Sequence, residues 1–155
     1  MEKHVQEMLD RLVGKLCWRK QVGNDRSLSL GFGERVNHKA TLTDRMYGEW
    51  EVGTYRCAWR IAKNGKVLCA SQDAVDNIGE LNNALSRIEL GRFVALRHLT
   101  ALDVQLECDN GITVDFLTTI SDDDECFHIF CPGKQIVVFS PIDGWKVGPS
   151  DKPWP

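Results

Sequence analysis

The chain has 155 residues, 43% hydrophobic and 26% charged, with a formal net charge of −3. These are globular values for a single ordinary domain, of a size that buries roughly 68–70% of its unfolded surface without help from a metal or disulfide. The negative balance argues against a general nucleic-acid binder, which must neutralise phosphates with a basic surface. The opening Met1-Glu2-Lys3-His4 is too polar for a signal peptide, and no apolar run approaches the ~20 residues of a membrane span. A cytoplasmic location is therefore expected. The six cysteines (Cys17, Cys57, Cys69, Cys108, Cys126, Cys131) then read as buried free thiols, several of them at apolar strand positions.

In chain order, Val5, Met8, Leu9 and Leu12 form one face of a helix over Glu2–Val13, stopped by Gly14. Ser27 to Phe32 alternates polar and apolar residues, as a half-buried strand does. Asn37 to Trp50 is a long polar segment ending in Met46-Tyr47-Gly48-Glu49-Trp50. Trp59-Arg60-Ile61 leads through Asn64-Gly65-Lys66 into Val67-Leu68-Cys69, a strand, a turn and a strand.

A second helix is expected over Ala74–Leu90, capped by Asp73, with Ile78, Leu81, Leu85 and Ile88 on one face and Gly91 as its stop. Gly91-Arg92-Phe93 then echoes Gly14-Lys15-Leu16. Leu102 to Cys108 alternates as a strand, and Phe127-His128-Ile129 leads through Pro132-Gly133-Lys134 into Ile136-Val137-Val138-Phe139. The order helix, Gly-basic-apolar, strand, turn, strand thus occurs twice. The expected fold is α+β, a single domain of antiparallel sheet and two helices, with internal duplication of a helix plus strand-meander unit over about 2–72 and 73–142. The remainder, about 144–155, reads as an extended tail.

Burial parity sets hairpin registers. A three-residue Asp109-Asn110-Gly111 loop pairs Leu106 with Val114 and Val104 with Phe116, whereas a two-residue loop would place Asp115 on the core face. Gly111 is then left-handed. The same reasoning gives a three-residue Lys63-Asn64-Gly65 loop, with Ile61 opposite Val67 and Trp59 opposite Cys69. At Pro132-Gly133 it sets Ile129 opposite Ile136. Trp18 and Trp59 are expected in the core.

Catalytic motifs are missing: there is no G-x-S-x-G, H-E-x-x-H or P-loop. Leu30-Gly31-Phe32-Gly33 lacks the third glycine and following helix of a dinucleotide site. Cys126 and His128, near Asp124, offer only two firm ligands for zinc. No metal or cofactor is expected. Two segments break the likeness of the halves, the Asn37–Trp50 loop and the acidic Ser121-Asp122-Asp123-Asp124-Glu125. The acidic run reads either as a solvated loop or as a surface for a basic partner; Tyr47 and Trp50 suit interface anchors, the alternative for Trp50 being that it folds back on the core.

Leu12-Val13-Gly14-Lys15-Leu16-Cys17-Trp18, Ser27-Leu28-Ser29-Leu30-Gly31-Phe32-Gly33 and Leu102-Asp103-Val104-Gln105-Leu106 with Asn110-Gly111 resemble an uncharacterised family of small bacterial proteins. Some families of this type look like immunity proteins of polymorphic toxin systems. The resemblance implies a non-catalytic protein-binding role, with a toxin or effector domain as partner. On the residues above, Asp122, Asp123, Asp124 and Glu125 would be the electrostatic contacts, and Tyr47 and Trp50 the anchors. The alternative is an enzyme or small-ligand protein with a pocket between the halves, holding His98 or His128 beside a carboxylate or thiol.

Overall fold

The computed structural model describes residues 1–37, 46–121 and 125–150. Two helices, α1 (Lys3–Asp10) and α2 (Ile78–Ser86), accompany two antiparallel sheets. The expected α+β class holds. The first sheet has six strands: β1 (Cys17–Val22), β2 (Leu28–Asn37), β3 (Met46–Gly53), β9 (Phe127–Cys131), β10 (Gln135–Ser140) and β11 (Gly144–Pro149), in the spatial order β1-β2-β3-β9-β10-β11. The second has β4 (Ala58–Lys63), β5 (Lys66–Ala70), β6 (Phe93–His98), β7 (Val104–Cys108) and β8 (Ile112–Leu117), in the order β5-β4-β8-β7-β6.

Each sheet takes strands from both halves of the sequence, so neither half closes a meander of its own. Hairpin β4–β5 crosses to join β6–β8, and β9–β11 cross to join β1–β3. The orders β1-β2-β3-β9-β10 and β6-β7-β8-β4-β5 correspond strand for strand. That is a likeness of strand order, and it does not establish a duplicated unit. The two Gly-basic-apolar segments meet at the seam between the sheets. Gly14 N donates to Phe93 O, Phe93 N to Lys15 O and Cys17 N to Gly91 O, each at 2.9 Å.

One hydrophobic cluster fills the interior, drawn from both sheets and both helices. Edge-to-face ring pairs Phe32–Phe93 (centroids 6.0 Å) and Phe116–Phe127 (4.9 Å) join one sheet to the other. Val5 and Leu9 of α1, with Leu12 just beyond it, are fully buried, which is the face that the periodicity predicts.

The second helix is shorter than expected, and its cap is Asn77 rather than Asp73. Asn77 Oδ1 accepts from Glu80 N, and Glu80 Oε2 accepts from Asp76 N at 3.0 Å, a reciprocal capping arrangement. Asp73 instead accepts from Ala70 N and closes the turn after β5. Within α2, the Asn82 amide accepts from Val22 N and donates to Val22 O, taking the place of a neighbouring strand at the end of β1.

The β7–β8 register is the one that parity selects: Leu106 faces Val114, Val104 faces Phe116, and Gly111 has φ 73°. The β4–β5 register differs. Lys63 faces Lys66 across a two-residue Asn64-Gly65 turn with both residues left-handed (φ 50° and 82°), the type I′ geometry. A bulge after Ile61 then sets Ile61 opposite Cys69 and restores core parity. Parity could not select the turn because β5 is an edge strand with Val67 and Leu68 exposed.

At Pro132-Gly133-Lys134 the residue opposite Ile129 is Val137, not Ile136. Residues 144–149 are not a loose tail but the edge strand β11, paired along β10. Trp59 is buried, its indole N–H donating to Arg26 O at 2.7 Å. Trp18 is only partly buried and lies under the Arg35 guanidinium, outside the core that was expected for it. Among the described residues no helix is long and apolar enough to cross a membrane.

Candidate functional site

Strand parity aims two sets of side chains in opposite directions from the six-stranded sheet. Leu30, Phe32, Trp50, Val52, Phe127 and Ile129 go to the core. Ser29, Glu51, His128 and Phe130 go to the outer face, and there they line a cleft of about 970 Å³ that reaches from Thr54 and Tyr55 to the Pro132–Lys134 turn.

His128 is opposite Gly53 on β3. A side chain at Gly53 would run into the Leu28 carbonyl, and its Cβ would lie 3.4 Å from His128 Nε2. The bare backbone there lets the imidazole lie across the strand. Tyr55, just past the end of β3, stacks on the imidazole with centroids 4.5 Å apart and 28° between planes. Phe130 meets the same ring edge-on at 5.2 Å. Glu125 stands behind it, with Oε1 3.0 Å from Nδ1, at ion-pair distance but not aligned as a hydrogen bond. Burial and the Glu125 charge both raise the Tyr55 phenol above its ordinary 10. The neighbouring Thr54 is 1% exposed, and its hydroxyl has no hydrogen-bond partner among the described residues.

Further along, Glu51 is held by Arg19 Nη1 and Ser29 Oγ, both at 3.1 Å, and by Gly48 N at 2.8 Å. Arg19 also covers the Tyr47 ring at 4.6 Å. This part of the cleft carries its own counter-ion.

The site residues read from the sequence separate here. Tyr47 lines the cleft, and Glu125 supports its histidine. Trp50 is 1% exposed, in the core beneath Arg11, so it cannot be a surface anchor. Its parity with Val52 turns it inward, while Tyr47 lies at the outward-turned end of the strand. Asp122, Asp123, Asp124 and Trp154 lie outside the described residues. Tyr55 and Thr54 were not singled out from the sequence: a residue just past a strand end has no periodic signature.

Of the histidines named for a pocket, His128 lines this cleft and His98 does not. His98 accepts from Trp145 Nε1 at 3.0 Å and packs against Phe139, tying β6 to β10 and β11. Cys126, weighed with His128 as a zinc ligand, is fully buried. Among the described residues no cluster of three His, Cys, Asp or Glu side chains could hold a metal ion. All six cysteines are buried thiols. Burial pushes Cys17 and Cys131 up to about 12 and Cys69 to about 11.

Chemically, the outer face offers an imidazole with a carboxylate at Nδ1, a half-exposed tyrosine ring and a buried hydroxyl. An imidazole so placed can act as a proton acceptor or as a hydrogen-bond acceptor through Nε2. No protein-family model, curated protein or solved structure matches the chain.

Proposed function

We propose that the chain is a non-catalytic binding protein that holds a polypeptide partner in the outer cleft of its six-stranded sheet. The mode is that of an immunity-type inhibitor masking a toxin or effector domain. One observation carries this reading. The two segments that break the likeness of the halves supply Tyr47, which lines the cleft, and Glu125, which stands 3.0 Å behind the His128 that lines it. Loops set on a rigid sheet are where binding residues concentrate.

The test is capture of a partner from the native cell, and of the product of the adjacent reading frame, by the wild-type chain and by Tyr55→Ala and Glu125→Gln variants. A single protein held by the wild type in a salt-sensitive way and released by the variants supports the reading. Folded variants that hold it with unchanged affinity overturn it. The second reading, a small-ligand protein or enzyme, is favoured by the His128–Glu125 pair in a cleft formed by strands of both halves. It predicts that His128→Gln abolishes a turnover or a small-molecule affinity that needs no protein partner.

A further inference from the structure

Two tyrosines line the cleft, Tyr47 and Tyr55, each with a carboxylate near by, and among the described residues an arginine lies over only the first. Arg19 lies over Tyr47 and bonds Glu51. Tyr55 and Glu125 flank His128. Among the described residues no arginine or lysine lies over Tyr55 or within ion-pair distance of Glu125. Tyr55 is 51% exposed, so one face of its ring is open while the other is stacked on the imidazole.

From this we infer that the Tyr55–His128 end of the cleft is a subsite for a guanidinium group, an arginine side chain of the partner. The inference rests on the docking reading above. The inventory of groups points to a cation: the Glu125 carboxylate stands behind the imidazole, 3.0 Å from Nδ1, and the Tyr55 ring lies in front of it. Among the described residues no lysine or arginine is within ion-pair distance of Glu125, and the Asp122-Asp123-Asp124 run adjoins it in sequence. An open aromatic face in front of that charge attracts a cation.

Guanidinium fits better than ammonium because it is flat and less strongly hydrated, and it stacks on a ring while its edge donates. The chain uses the same geometry internally: Arg19 on Tyr47 at 4.6 Å, Arg35 on Trp18 at 4.3 Å and Arg11 on Trp50 at 5.7 Å. The arriving arginine would cover the Tyr55 ring as Arg19 covers that of Tyr47.

The experiment titrates the isolated chain with N-acetyl-arginine amide and with the apolar N-acetyl-norleucine amide, following the Tyr55 and His128 ring resonances by NMR. The arginine probe should shift both rings saturably, and the norleucine probe should not. Tyr55→Leu and Glu125→Gln should each weaken binding about fivefold, whereas Leu68→Ala, exposed on the edge strand of the other sheet, should not. Equal response to both probes, or none to arginine, overturns the subsite. If arginine fails while cleft variants still release a captured partner, the docking reading stands alone. If arginine binds while those variants keep the partner, the subsite stands and the docking reading falls.

Discussion

Glu51 and Asp115 occupy the same place in the two sheets. Each faces outward from the third strand of its sheet, flanked by a second-strand residue (Gly31, Gln105) and a fourth-strand residue (Phe130, Arg60). They are 6% and 4% exposed, the only buried carboxylates among the described residues. Their partners differ. Arg19 reaches Glu51 from the first strand, across the bare Gly31. Asp115 is held by its fourth-strand neighbour Arg60 at 2.6 Å and by Gln105 at 2.8 Å. The Arg19 side chain is 14% exposed and that of Arg60 47%. Removing one partner of a buried pair strands the other charge, whereas an exposed guanidinium can be replaced by water. Arg19→Met should therefore cost about 3 kcal/mol and Arg60→Met about 1 kcal/mol. Urea titration of the two variants measures the difference, and equal losses would contradict it.

Gly111→Ala should destabilise the chain by about 1–2 kcal/mol, because an L-residue is strained at its left-handed φ. The new Cβ would meet only the Asn64 side-chain oxygen at 3.1 Å, and that flexible amide can move aside. The penalty is thus one of backbone conformation, so Gly111→Asn should recover part of it. Chemical denaturation of the two variants side by side is the check.

Asn77→Ala should cost about 1 kcal/mol through loss of the cap on α2. Its readout is separable from a general loss of stability. The nearby amide of Glu80, which donates to Asn77, should lose hydrogen-exchange protection more than the β7–β8 amides do.

The thiols set an alkaline limit. A folded-state value raised above the unfolded one means that the native chain keeps a proton that the unfolded chain gives up. Cys17, Cys69 and Cys131 ionise near 9.0 when free of the fold and at about 11 to about 12 within it. Their contribution is complete below pH 9 and is lost as pH climbs towards 12, so stability should fall across that window. At pH 8 a disulfide reagent should react slowly with the native chain and rapidly after unfolding, since only the thiolate attacks. Fast native labelling of several thiols would contradict the burial.

Burial parity was readable wherever both faces of a strand pair have something to lose. Leu106, Val114 and Phe116 admit one register, and the hairpin adopts it. Val67 and Leu68 lose nothing by facing solvent at an edge, so the three-residue loop that parity gives at Lys63-Asn64-Gly65 is not enforced, and the Asn-Gly turn chemistry decides. The exchange of hairpins between sheets has no local signature, because alternation says which face is buried and not which strand lies alongside. The site was half legible for the same reason. Tyr47, Glu125 and His128 stand out by composition. Tyr55 joins them only because β3 and β9, some eighty residues apart in sequence, are neighbours. Trp50 was misplaced because its segment was read as a loop. As part of β3 it alternates inward with Val52.

The crossing of β4–β5 and β9–β11 between sheets also governs the order in which the chain can complete itself during synthesis. When the first 72 residues have emerged, β3 has an open edge, and the β4–β5 hairpin lacks the β8 strand it pairs with. That edge stays open until Phe127 and the strand that begins there leave the ribosome. Unpaired edges and late long-range pairing make a nascent chain slow to fold and prone to associate. Loss of the last thirty residues would therefore remove three of the six strands of a sheet, β9 to β11, rather than trim an end.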